Sequence, residues 1–146
     1  MHKILLLGSV LGMVLTPLAA AARETEHLYD VNEAKTSPLG QERLFKVPFY
    51  MKGQKRPAVA EVIAESTTEH STRGVGRSDN ASCQVAFLSA IRELQKRAED
   101  RGADAVVDIV SVTWNKETES PAQYRCVAGT WVVHVGLKGK IVKLKK

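Results

Sequence analysis

Two cysteines, a handful of histidines and serines, and one pair of glutamates are the residues through which this 146-residue chain could do chemistry. Cys83 and Cys126 lie far apart in sequence, not as the Cys-x-x-Cys of a dithiol redox centre. A metal site built on them would need two further ligands. His2 stands at the extreme N-terminus, His27 falls in a polar stretch and His70 at a loop edge. His134 alternates with Val133 and Val135, which puts it on one face of a strand, and a single histidine cannot close a site. No metal ligand and no cofactor are therefore expected. Ser66, Ser71, Ser78, Ser82, Ser89, Ser111 and Ser120 all lie outside any Gly-x-Ser-x-Gly turn that would expose a nucleophile. Glu61 and Glu65 share a strand face, but no second wall of a glycosidase cleft accompanies them. Gly74-Val75-Gly76 lacks the third glycine and the strand-to-helix setting of a dinucleotide loop. Trp114, Trp131 and Tyr124 are expected to pack in the core or at its edges. No catalytic residue follows, and the chain reads as a binding protein, not an enzyme.

A structural disulfide is the remaining use of the cysteines, and the N-terminus favours it. Met1-His2-Lys3 gives a short positive start, Ile4 to Leu15 is largely apolar, and Thr16-Pro17 breaks the run. Ala19-Ala20-Ala21-Ala22 supplies the small residues that signal peptidase requires. The apolar run is too short to span a bilayer core, which takes roughly 20 residues of helix. The expectation is a cleaved signal peptide over 1–22, a periplasmic or secreted chain from Arg23, and no transmembrane segment after cleavage. That compartment is oxidising, so Cys83 and Cys126 are expected to be bonded to each other. Closing so long a loop stabilises a fold by about 4 kcal/mol in the chain-entropy account.

The formal net charge of +5 is unevenly placed. Lys138, Lys140, Lys143, Lys145 and Lys146 crowd the C-terminus as a basic tail, a candidate contact for an anionic surface or an acidic envelope protein, or else a frayed solubilising end. No nucleic-acid partner is expected of an exported chain, and the oligomeric state is not legible.

The elements that must position these residues are mostly readable. Residues 23–43 are polar and end in Ser37-Pro38-Leu39-Gly40, and read as a flexible leader. A domain over 44–146 follows. It opens on Leu44 to Met51, where Pro48 restricts the segment to an edge strand. Ala58 to Glu65 reads as a strand with Ala60, Val62 and Ala64 on one face, and 70–80 as a loop. The helix after it is the clearest element. Ser82 or Asn80 caps it and Gly102 ends it. Cys83, Phe87, Ile91, Leu94 and Ala98 form its buried stripe, and Arg92, Glu93, Gln95, Lys96, Glu99 and Asp100 its wet side. Asp104 to Trp114 is a β-branched strand and Gln123 to Leu137 its hairpin partner, with Gly139 interrupting before a last short strand. The fold class is α+β, a β–α–β–β order with one long helix on a small sheet.

Val47-Pro48-Phe49-Tyr50-Met51-Lys52-Gly53-Gln54, Gly102-Ala103-Asp104-Ala105-Val106-Val107-Asp108-Ile109, Tyr124-Arg125-Cys126-Val127-Ala128-Gly129 and Gly136-Leu137-Lys138-Gly139 together resemble a family of small exported bacterial proteins. Some of its members carry the name excinuclease subunit. This chain has neither the Gly-x-x-x-x-Gly-Lys-Ser/Thr loop nor the zinc-binding cysteine pairs that such an ATPase needs. The helix followed by Gly-Ala-Asp-Ala-Val-Val is more distantly similar to the YbjQ-type heavy-metal-binding domain. A β–α–β–β order with disulfides is also similar to the Rcs envelope-stress sensor lipoprotein, whose lipid-bearing cysteine this chain lacks. These resemblances imply an exported, non-enzymatic envelope protein that works by binding or protein interaction in a stress-related setting. The alternative they imply is a metal- or small-ligand-binding module.

Overall fold

The computed structural model describes residues 22–146; the expected signal segment lies almost wholly outside them, in residues 1–21. Seven strands form one curled sheet, with one long helix across it and two short ones beside it. The strands are β1 (Glu24–Asp30), β2 (Phe49–Met51), β3 (Val59–Arg73), β4 (Ala105–Thr113), β5 (Lys116–Thr118), β6 (Gln123–Gly129) and β7 (Val132–Leu144). The helices are α1 (Val31–Thr36), α2 (Pro38–Arg43) and α3 (Asp79–Asp100). The α+β class is as the sequence predicts, while the sheet is larger than the small one expected over 44–146 and takes in β1.

β7 organises the sheet. It pairs antiparallel with β3 along its whole length, with β4 through residues 137–142, and with β6 at His134 and Val133. Since β3 and β4 both run antiparallel to β7, they are parallel to each other, and α3 is the connection between them. β2 adds to β4 in parallel, as the edge strand that Pro48 allows,.

α3 forms where the periodicity puts it, but one turn earlier. Ser78, not Ser82 or Asn80, is its N-cap, its side chain accepting from Ala81 N,. Gly102 ends it with φ +61°,. Cys83, Phe87, Ile91, Leu94 and Ala98 are all buried, and they meet Val133, Val135, Leu137 and Ile141 of β7. Phe87 stacks on Tyr124 at 4.0 Å between ring centroids. Burial pushes the Tyr124 hydroxyl well above its ordinary pKa,. The disulfide is present: Cys83 and Cys126, both fully buried, tie the first turns of α3 to β6 with 5.9 Å between their Cα atoms.

Several expectations fail for identifiable reasons. Residues 24–43 are part of the fold and not a loose leader. β1 pairs with β6 from Glu24↔Gly129 to Asp30↔Gln123, and Val31, Ala34 and Gly40 are buried. The alternation of exposed and half-buried residues in β1 is that of an edge strand whose apolar content is low. Gln123 to Leu137 is two strands, reversing at Thr130-Trp131, so β4 pairs with β7 and not with β6. The tight hairpin is β4–β5, turned by Trp114 (φ 51°) and Asn115 (φ 60°),. Gly139 does not break β7: a Cβ there would lie 2.9 Å from Val106 Cγ1 and 3.0 Å from Ile109 Cγ1, so the glycine fits a crowded core. In β3, register shifts at Val59/Glu61 and Val62/Ala64 break the alternation,. Val62 is consequently exposed and Ile63 packs against the core.

Candidate functional site

Gln95 holds in place one wall of a cleft beside α3. The sequence puts it on the wet side of α3, yet it is 1% exposed. Its Nε2 donates to Phe45 O (3.0 Å) and Val47 O (2.6 Å), and its Oε1 accepts from Phe45 N (3.0 Å). Three bonds from one side chain therefore fix the link between α2 and β2 against the helix. Phe45 is held half-buried, with the Arg92 guanidinium stacked over its ring at 4.9 Å,.

Phe45, Arg43, His70, Ser89, Arg92, Glu93 and Lys96 line an open cleft of about 330 Å³ between that link, α3 and β3. Its electrostatics are lopsided. Glu93 is the one carboxylate in the lining, and it is already engaged: His70 Nε2 donates to Glu93 Oε2 at 2.6 Å, and Arg97 pairs with Oε1. Burial raises the Glu93 pKa, but the bonds from His70 and Arg97 outweigh it and hold the carboxyl below its ordinary value,. Lys96 pairs with Asp100 at 2.8 Å, one helical turn on, in an exposed pair of little energetic weight,. Among the described residues, Arg43 and Arg92 have no carboxylate at ion-pair distance. The Ser89 hydroxyl donates to Val85 O within the helix (2.8 Å), leaving its lone pairs to the cleft. An aromatic wall with two guanidiniums that have no carboxylate partner, one of them stacked on the ring, suits a group that is anionic at one end and apolar or planar at the other,.

The residues singled out from sequence are distributed differently. Lys138, Lys140 and Lys143 are within β7, and the Lys145 backbone donates to Ala58 O at 2.8 Å, so the C-terminal lysines are not a frayed tail. Lys138 Nζ lies 2.7 Å from Glu117 and Lys140 Nζ 3.3 Å from Asp108, which neutralises both locally. Lys143 is half-buried, and only Lys145 and Lys146 are well exposed. Asp108 also pairs with Arg56 at 3.1 Å from a bulge in β4 where its φ is 51°.

The histidines sit apart. His27 Nε2 is 2.9 Å from Asp79, His70 belongs to the cleft, and His134 Nδ1 is 2.6 Å from Ser71 Oγ, its ring tilted against Trp114 at 5.8 Å. Ser71 and His134 are the nearest approach to a nucleophile and base, but the group flanking that imidazole is an indole, not a carboxylate,. Among the described residues, no three of His, Cys, Asp and Glu converge as a metal ligand set. Trp114 and Trp131 are 53% and 70% exposed, contrary to the expected packing; Tyr124 alone of the three is core.

Arg125 escaped the sequence reading. Fully buried on β6, it donates from Nη2 to Thr113 O (2.7 Å) and Lys116 O (2.8 Å), on either side of the Trp114–Asn115 turn. Its Nη1 reaches Glu26 on β1 at 3.0 Å. One guanidinium thus clamps the β4–β5 hairpin to β6 and β1. Among the described residues, no helix is long and apolar enough to cross a membrane. No family model, curated protein or solved structure matches the chain.

Proposed function

We propose that this is an exported, non-enzymatic envelope protein that works by binding, and that its binding site is the cleft between α3, β3 and the α2–β2 link. The reading rests on one observation: Arg43 and Arg92 face a Phe45-floored cleft with no carboxylate of their own, while Glu93 is neutralised by two internal partners. An uncompensated cationic cleft is completed by an anion from outside. The group it takes carries a carboxylate or phosphate on an apolar or planar body, whether a small ligand or the side chain of a protein partner. This favours the small-ligand form of the alternative over a metal, because the cleft's histidine and glutamate are bound to each other.

β3 and α3 supply the frame, and the N-terminal elements with the α2–β2 link supply Arg43 and Phe45. The test is calorimetric titration with an arylalkyl phosphate and with its uncharged alcohol. Binding of the phosphate only, lost in Arg92→Ala, supports the reading. Equal heats for both probes, or binding indifferent to Arg43→Ala and Arg92→Ala together, would sink it.

A further inference from the structure

At the end of the molecule opposite the C-terminal lysines, the loop between β3 and α3 meets the turn between β6 and β7. Gly74 N donates to Trp131 O at 2.8 Å, so the two are one surface. Trp131 is 70% exposed and Val75 53%. An indole so exposed beside a second bare apolar side chain is costly in water and marks an interaction surface. Arg73 and Arg77 flank them, both exposed, and neither has a carboxylate at ion-pair distance among the described residues. Of the two acids at this end, Asp79 is taken by Arg23 at 2.7 Å and His27 at 2.9 Å, while Glu24, opposite Gly129, is exposed without an ion pair among the described residues and leaves Arg73 and Arg77 in excess. Aromatic and aliphatic tips ringed by free arginines fit the interface of a lipid bilayer, where the indole sits at headgroup depth and the guanidiniums meet phosphates.

Arg23 N donates to Thr130 Oγ1 at 3.3 Å, next to Trp131, so the polypeptide enters the fold at this same end. We propose that the Trp131–Val75 tip, with Arg73 and Arg77, docks on a bilayer surface bearing anionic headgroups, independently of the cleft.

Trp114→Phe leaves Trp131 as the sole tryptophan, and its fluorescence reports the contact. Vesicles of equal parts phosphatidylcholine and phosphatidylglycerol should shift its emission to the blue and co-sediment the protein, whereas phosphatidylcholine alone should do neither. Arg73→Ala and Arg77→Ala should each weaken binding about fivefold, and high salt should abolish it. A Lys143→Ala/Lys145→Ala/Lys146→Ala variant should bind as the parent does, since those lysines are roughly 40 Å of strand away. Soluble glycerol phosphate should not compete, which separates a lipid surface from a free phosphate. The proposal is overturned if neutral vesicles bind as well, if Trp131 emission stays unshifted while protein sediments, or if affinity follows the lysines. Failure to bind any vesicle overturns it too. The substituted positions are exposed, and an unchanged far-ultraviolet spectrum confirms the fold in each variant.

Discussion

Gln95 carries more of the candidate site than any other single side chain, because it satisfies three backbone groups of the segment that presents Phe45. Replacing it by leucine keeps the volume but leaves two carbonyls and an N–H without partners. The expected cost is about 2–4 kcal/mol, read as a lower urea midpoint with unchanged slope. Asp108 makes a different residue-scale prediction. Burial alone would raise its pKa above 3.8, yet Arg56 and Lys140 bring it below that value. Its stabilising contribution is therefore complete above the ordinary carboxylate value and is lost as pH falls through the depressed one. Asp108→Asn, which tolerates the same left-handed backbone, should be less stable than the parent at pH 6, and the gap should close in acid. An equal gap at both pH values would show that the pairs with Arg56 and Lys140 contribute nothing. A third site depends on space. A Cβ at Gly136 would lie 1.8 Å from Val112 O, where β4 crosses β7, so Gly136→Ala should destabilise by at least about 3 kcal/mol,.

At the scale of elements, the disulfide and the Arg125 clamp divide the work of closing the curled sheet. Cys83–Cys126 fixes α3 to β6 across 43 positions of sequence. The Cys83→Ala/Cys126→Ala variant should lose about 4 kcal/mol in the chain-entropy account, measured by denaturant unfolding beside the oxidised parent. What the sequence makes legible follows from the same elements. α3 was readable because its apolar residues repeat at three and four, and β4 because its β-branched residues run together. β1 was not, because an edge strand with one half-buried face looks like a polar linker. The reversal at Thr130-Trp131 was hidden for another reason: no glycine–asparagine pair marks it, and β-rich residues continue on both sides. Gly139 misled in the opposite direction, since a glycine demanded by close packing against Val106 and Ile109 reads like one that ends a strand.

At the scale of the molecule, the proposal of an exported protein makes a prediction of its own. Protein recovered outside the cytoplasm should have the intact mass of a chain beginning at Arg23 with two fewer hydrogens than the dithiol; a mass retaining Met1 would contradict the expected cleavage. The cleft itself could not be read from sequence. Arg43, Phe45, His70 and Arg92 come from four segments, two of which read in sequence as a flexible leader and a loop, and only the folding of α1 and α2 against α3 brings them together. The central claim is that this cleft receives an anionic group. Amide chemical-shift mapping during titration with an arylalkyl phosphate tests it most directly. The account predicts saturable shifts confined to Phe45, His70, Ser89, Arg92 and their neighbours, absent in Arg92→Ala. Shifts centred on Lys145 and Lys146, or none at all, would contradict it.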